Sequence, residues 1–134
     1  MIIDAKNLIV GRLATKVAKL ALLGEEISVL NCNEAVLSGK KEEILKRYQR
    51  KRSMGTPTKG PIHHRVPEKM LKRIIRGMLP YKRPRGSVAF KKIKCYNTTP
   101  EKFQGKESMT LKEANVKKLP NLKFMTLKKL CDLL

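Results

Sequence analysis

The first 32 residues of the chain read MIIDAKNLIVGRLATKVAKLALLGEEISVLNC, and their pattern determines the class of fold. Apolar and β-branched residues at 1–5 and 27–32 predict two short strands. Between these strands, residues 11–23 have the periodicity of an amphipathic helix, which Gly24 can end in a left-handed conformation. A strand, a helix and a strand in this order are typical of a parallel sheet, so we expect an α/β fold.

The alternation of strands and helices continues beyond this stretch. A brief third strand is predicted at 35–37, and Ser38 is expected to cap a helix over 39–50. Pro67 suits the first position of a further helix. The apolar face predicted for that helix comprises Met70, Leu71, Ile74, Ile75, Met78 and Leu79.

The C-terminal third of the chain is less clearly patterned. Residues 87–92 fit either a short helix or the lead-in to a strand at 93–96, and their alternation does not decide between the two. The tail over 98–125 has no strong periodicity. Thr126 is expected to cap a last helix that docks on the core. Its single apolar stripe comprises Leu127, Leu130, Cys131 and Leu134.

Positive charge is concentrated in one region. Residues 46–94 hold 17 Lys or Arg and a single acid, Glu68, so they carry +16 of the formal net charge of +20. Self-repulsion on this scale favours a permanent polyanionic partner. The chain has three Tyr, three Phe and no Trp, so stacking of unpaired bases on aromatic rings is not expected to dominate. We therefore expect binding to the phosphate groups of folded, largely double-helical nucleic acid.

The segment RKRSMGTPTKGPIHHRVP, residues 50–67, lies at the centre of this region. It is rich in Gly and Pro and poor in large apolar residues, so it cannot bury enough surface to order itself. We predict a flexible cationic loop that becomes ordered on a polyanion. On the helix after it, a basic stripe lies opposite the apolar face, and its lack of acids favours phosphate binding over solvation. The stripe comprises Lys69, Lys72, Arg73 and Arg76.

Motifs for catalysis are weak. Gly39-Lys40 does not belong to a Walker sequence, because position 34 lacks the required glycine and position 41 lacks Ser or Thr. His63 and His64 could suggest an acid–base pair, but neighbouring side chains tend to point apart and no nearby carboxylate could orient either ring. Hydrogen bonding of these imidazoles to phosphate or ribose is the favoured interpretation.

Signals for metal binding and for membrane insertion are also weak. Cys32, Cys95 and Cys131 lack the spacing of a zinc site and the even number of a disulfide framework, so we interpret them as small buried hydrophobes. The sequence contains no 18-residue apolar run and no signal-peptide core, and we expect a soluble cytosolic protein. At 134 residues the chain fits one domain.

Four segments closely resemble, in order, the universal L13 family of large-subunit ribosomal proteins: IDA at 3–5, GRLA at 11–14, RSMGTPTKGP at 52–61 and RGMLP at 76–80. The resemblance runs from about residue 2 to residue 97, and RGMLP is its most specific part. The long SMGTP loop is typical of the archaeal and eukaryotic branch. Without a long C-terminal extension, an archaeal source is expected.

The resemblance implies a three-layer α/β/α fold on a four-stranded parallel sheet, with a long basic loop and a short C-terminal helix, in a single domain over 1–134. It implies a cytoplasmic constituent of the large ribosomal subunit that binds folded rRNA beside neighbouring ribosomal proteins. It implies no enzymatic activity, cofactor, metal, membrane or small-molecule substrate. Within the basic region 46–94, the residues expected on RNA are Arg47, Arg50, Lys51, Arg52, Ser53, Met54, Gly55, Lys59, His63, His64, Arg65, Lys69, Arg73, Arg76, Lys82, Arg83 and Arg85. Gly55, Gly60 and Gly77 are expected to permit close backbone approach to phosphate or to a neighbouring helix.

Two other classes of function stay open from the residues alone. One is an RNA-acting enzyme on an α/β scaffold, for which RNA turnover lost in His63→Ala would be the sign. The other is a DNA-compacting architectural protein, for which equal affinity for duplex DNA and large-subunit RNA would be the sign.

Overall fold

Strands and helices alternate along the chain in the computed structural model, which describes residues 1–134. The strands are β1 (Ile2–Asp4), β2 (Ile27–Leu30), β3 (Val36–Ser38), β4 (Ile93–Cys95) and β5 (Phe124–Thr126). The α-helices are α1 (Val10–Leu22), α2 (Lys41–Ser53), α3 (Pro67–Gly77), α4 (Pro84–Lys91) and α5 (Leu127–Leu133). This arrangement confirms the α/β class. None of these helices has the length and apolar content needed to cross a bilayer.

The parallel sheet contains three strands in the order β1–β2–β4. The predicted fourth strand does not join it, because β3 pairs in antiparallel orientation with β5, with Leu37 opposite Met125. Asn31 has a φ of +55°, which ends β2, and only five residues separate β2 from β3. A parallel connection needs a crossover of roughly a dozen residues or more, so β3 is too close in sequence to return to the sheet.

Helix α1 follows its sequence pattern closely. Its inner face is buried, and Gly24 ends the helix with a φ of +101°, as expected for a left-handed residue past a helix end. The helix packs against α3 and α4. One cluster of 25 buried residues extends from Ile3 to Cys131, so segments from both ends of the chain share the same core.

The start of α2 differs from the prediction. Ser38 is not a helix cap; it is the last residue of β3, where it pairs with Phe124. Gly39 then turns the chain with a φ of +126°, and the helix begins at Lys41 without a side-chain cap. The prediction that Ser38 caps α2 was wrong, because its pairing partner β5 lies at the end of the weakly patterned tail, where no strand was predicted. The helix also continues to Ser53, so the first part of the predicted loop is helical.

The two interpretations of residues 87–92 are resolved in favour of a helix. This segment lies in and just beyond α4, which Pro84 begins, and β4 follows directly. At the C-terminal end, the hydroxyl of Thr126 accepts a hydrogen bond from the backbone N–H of Lys129, 3.4 Å away, and so caps α5. The predicted stripe on α5 is buried at Leu127, Leu130 and Cys131, which confirms that the helix docks on the core.

The cysteines are free thiols with different degrees of burial. Cys32 and Cys131 are buried, which confirms their interpretation as core residues, whereas Cys95 is only half-buried. A hydrogen bond with Cys95, together with burial, raises the pKa of the Cys32 thiol. Burial raises the pKa of Cys131 to about 11. Both core thiols are therefore protonated and unreactive at neutral pH.

Candidate nucleic-acid interface

The residues predicted to bind RNA lie on consecutive elements in the middle of the chain. Helix α2 carries Arg47, Arg50, Lys51, Arg52 and Ser53; the loop over 54–66 carries Met54, Gly55, Lys59, His63, His64 and Arg65; and α3 carries Lys69, Arg73 and Arg76. Lys82 and Arg83 precede α4, and Arg85 lies in its first turn. All of them are exposed or partly exposed, so each is accessible to a partner.

A cavity of about 250 Å³, here called the central cavity, joins the end of α2, the loop and α3. Its basic lining residues are Lys51, Arg52, His63, His64, Lys69 and Arg73. Apolar atoms of Ile62, Met70 and Ile74 also line it. The guanidinium of Arg52 donates a hydrogen bond to the backbone oxygen of Leu134, which connects the end of α2 to the end of α5. Six basic side chains from three consecutive elements thus surround one concavity.

A second groove, of about 240 Å³, continues along α3. It is lined by His64, Lys69, Lys72, Arg73, Arg76 and Phe90. The central cavity and this groove together are called the basic interface below. The remaining predicted residues lie outside both concavities: Arg47, Arg50, Ser53, Met54, Gly55, Lys59, Arg65, Lys82, Arg83 and Arg85.

Two aromatic rings lie beneath cationic side chains, Phe90 within the basic interface and Tyr81 beside it. The Nζ atom of Lys72 is 5.1 Å from the centre of the Phe90 ring, and the guanidinium carbon of Arg76 is 4.9 Å from that of Tyr81. These distances favour cation–π attraction, which orients the charges. Lys72 already belonged to the basic stripe predicted from the sequence. Phe90 carried no such signal, because its helix is distant in sequence from α3.

The cations of this region form no ion pair with an Asp or Glu side chain. The structure contains two ion pairs, Lys6–Glu34 and Lys40–Glu43, each at 3.5 Å, and both lie outside residues 46–94. Glu68, the only acid of the region, forms no ion pair. Repulsion among the cations is therefore uncompensated until an external anion binds.

The two histidines both line the central cavity, and His64 also lines the second groove. Burial lowers the pKa of His63, and the charges of Arg73, Lys51 and His64 lower it further. No carboxylate side chain lines the cavity, so neither imidazole has the orienting partner that general acid–base catalysis uses. A neutral imidazole here can donate a hydrogen bond to a phosphate or accept one from a ribose hydroxyl.

The tip of the loop is a tight turn that depends on two glycines. Gly55 and Gly60 have φ values of +87° and +126°, and a Cβ on Gly55 would lie 2.9 Å from the Cα of Gly60. Within the turn, the backbone N–H of Thr56 donates to the carbonyl of Lys59 over 2.6 Å. Gly77, in contrast, has nothing within 4 Å of the place a Cβ would occupy, so no neighbouring helix of this chain needs its small size.

The apolar face of α3 is rotated slightly from the prediction. Met70, Leu71, Ile75 and Leu79 are buried, whereas Ile74 is half-buried beside the central cavity and Met78 is 43% exposed. Contacts of α3 with α1 and with β4 set this orientation. Ile74 therefore belongs to the edge of the cavity rather than to the centre of the core.

Comparison with known proteins gives consistent matches over most of the chain. Residues 1–102 match the model of the family described as Ribosomal protein L13. The chain is 44% identical over 126 residues to large ribosomal subunit protein uL13 of Methanococcoides burtonii, covering 94% of this chain and 91% of the relative. It is 50% identical over 105 residues to the uL13 protein of Methanococcus maripaludis, covering 75% and 77%. It is 40% identical over 133 residues to that of Methanopyrus kandleri, covering 98% and 84%.

Proposed function

The chain belongs to the ribosomal protein L13 family, and from this membership we propose that it binds large-subunit rRNA through the basic interface. Its relatives are named as proteins of the large ribosomal subunit. The chain accordingly acts as a structural constituent of that subunit and not as an enzyme. The archaeal relatives agree with the branch that the loop sequence indicated.

The observation that carries the RNA proposal is the unpaired charge around a concave surface. Phosphates entering the basic interface replace the missing acidic partners and release condensed counterions. The concavity between α2 and α3 suits a curved nucleic-acid backbone better than a flat charged surface does. The 17 residues predicted from the sequence, together with Lys72, are proposed as the RNA-contacting set.

Finer features belong to the same proposal. We place the protein in the cytoplasm on assembled ribosomes, next to other large-subunit proteins. A single domain over residues 1–134 is supported by the one core cluster that joins Ile3 to Cys131. The complete three-layer arrangement that the resemblance implies stays a prediction.

Sedimentation tests the proposal. Tagged protein expressed in an archaeal host is expected to travel with the large subunit in a sucrose gradient. The double variant Lys69→Glu with Arg73→Glu is expected to shift toward the top, because the reversed charges repel phosphate. Lys128→Glu with Lys129→Glu, on the exposed side of α5, changes the net charge equally and is expected to stay with the subunit. Wild-type protein that remains with free proteins at the top of the gradient would overturn the assignment.

A further inference from the structure

Helix α1 carries a second row of cations, outside the basic interface. Arg12, Lys16 and Lys19 are exposed at i, i+4 and i+7, and α1 contains no acidic residue. At a rise of 1.5 Å per residue, the row extends about 10 Å along the helix. That length matches on the order of three consecutive phosphates of one nucleic-acid strand.

The row forms one wall of a groove of about 520 Å³, here called the α1 groove. The other wall is the segment 109–114, which contributes Lys112, the hydroxyl of Thr110 and one acid, Glu113. The guanidinium of Arg12 donates a hydrogen bond to the backbone oxygen of Glu113 over 3.2 Å and so holds the two walls together.

The α1 groove adjoins the end of the basic interface. The hydroxyl of Thr15, which lines the groove, lies 3.6 Å from the sulfur of Met78. Met78 directly follows α3, the helix that carries Arg73 and Arg76. A strand leaving the interface at the end of α3 therefore meets Thr15 and the cations beyond it.

We propose that the α1 groove is a second phosphate-binding surface, which extends the RNA contact from α3 across α1. This inference rests on the proposed function and adds a site to it. The four cations match phosphate oxygens, and the hydroxyls of Thr15 and Thr110 match ribose hydroxyls. An acidic protein segment is the less suitable occupant, because the groove has no aromatic ring to anchor a peptide and adjoins the basic interface through the contact of Thr15 with Met78.

Lysine footprinting tests the site in the unmodified full-length protein. The protein is acylated alone and in complex with deproteinised archaeal large-subunit rRNA, and each lysine is quantified by mass spectrometry. Lys16 and Lys19 are expected to be protected by the RNA roughly fivefold, as Lys69 is. Lys128 and Lys129, exposed on α5, serve as controls that stay reactive. Protection of Lys69 with full reactivity of Lys16 and Lys19 would overturn the inference and leave the proposed function standing.

Charge reversal gives an independent readout. Lys16→Glu with Lys19→Glu is expected to weaken rRNA binding roughly tenfold and to make the log–log salt slope shallower by about two phosphates' worth. Lys128→Glu with Lys129→Glu changes the net charge equally and is expected to have a much smaller effect. If the charge reversal unfolds α1, the neutral double variant Lys16→Gln with Lys19→Gln takes its place in the same measurement. Equal effects of the α1 and α5 variants, or an unchanged rRNA affinity with loss of a co-purifying acidic protein, would contradict the inference.

Discussion

A Cβ on Gly86 would overlap the carbonyl group of Pro80, because the first turn of α4 lies directly against the backbone of the preceding turn. The same Cβ would lie 2.9 Å from the backbone nitrogen of Tyr81. The N–H of Arg83 donates to the Pro80 carbonyl over 2.9 Å and closes this turn. The close approach therefore holds the segment that carries Lys82 and Arg83 in a defined position.

Gly86→Ala is predicted to destabilise the protein by about 1–3 kcal/mol, because the backbone must move to admit a methyl group. Helix propensity alone predicts the opposite sign, a gain of up to about 1 kcal/mol. Gly11→Ala is the matched control, since it lies in α1 with nothing within 4 Å of its Cβ position. Chemical denaturation of both variants measures the difference. Stabilisation by both substitutions would show that α4 does not approach the Pro80 turn so closely.

The two faces of α3 give a second prediction. Ile75 is fully buried, so Ile75→Ala is expected to cost about 2–5 kcal/mol of stability and to affect RNA affinity only through unfolding. Ile74→Ala is expected to cost less, because that side chain is half-buried. Denaturation curves and RNA titrations at a temperature where all variants are folded separate the two effects.

In contrast to Ile75→Ala, the substitution Arg73→Ala is expected to weaken RNA binding without destabilising the fold. Loss of this cation relieves repulsion from Lys69, Lys72 and Arg76, so stability stays nearly constant or rises slightly. RNA binding weakens, and the salt slope becomes shallower by about one phosphate's worth. If this variant lost its fold while the affinity per folded molecule stayed intact, the assignment of the exposed face of α3 would be wrong.

Predictions from the sequence were most successful for features that depend on residues close together along the chain. The β1–α1–β2 unit follows from local periodicity, and the cap at Thr126 from a short-range hydrogen bond. The β3–β5 pair joins Val36 to Thr126, and no local pattern near Ser38 reports a partner so distant in sequence. That pairing is why the strand count of the parallel sheet was wrong.

The same distinction applies to the candidate site. Its charge is a property of composition, so the sequence identified the region 46–94 directly. Its shape depends on contacts between separate elements, such as Phe90 beneath Lys72 and α4 against Pro80. The sequence also did not predict the different burial of Ile74 and Ile75. A rotation of the helix about its axis by a fraction of a turn is enough to change which of two neighbouring residues is buried.

The loop is predicted to gain order on RNA. Backbone amides over 54–66 are expected to exchange rapidly with solvent in the free protein and slowly in the rRNA complex, because the loop buries little apolar surface of its own. Thr56 and Lys59 are exceptions, since hydrogen bonds within the turn protect them locally. Hydrogen exchange followed by mass spectrometry measures this, with α3 as the internal control. Strong protection of the remaining loop amides without RNA would contradict the prediction.

RNA affinity is predicted to rise as the pH falls through the pKa of His63. Burial and the neighbouring cations lower this pKa below its ordinary value of 6.5, so the ring is largely neutral at pH 7 in the free protein. A phosphate in the central cavity raises the pKa in the complex, which therefore binds more protons than the free protein does. The stability of the free protein depends on pH with the opposite sign. As the pH falls, the imidazole of the unfolded chain takes up its proton before that of the folded protein, so the contribution of His63 to stability decreases below about pH 6.5.

Binding curves between about pH 8 and pH 5 measure this linkage. His63→Gln is expected to flatten the pH dependence, while His64→Gln controls for the second imidazole in the cavity. An identical pH dependence in wild type and His63→Gln would exclude a proton-linked contact at this residue.

The dependence of rRNA affinity on salt tests most directly whether the basic interface binds phosphate. With roughly 6–10 phosphates neutralised, the plot of log affinity against log salt concentration is predicted to have a slope between about −4 and −9. The measurement uses full-length protein and deproteinised large-subunit rRNA, with Lys69→Glu plus Arg73→Glu as the interface variant and Lys128→Glu plus Lys129→Glu as the control of equal charge. A steep slope that becomes shallower only in the interface variant is the predicted result. A slope near zero, or equal slopes for the two double variants, would contradict phosphate binding at the basic interface.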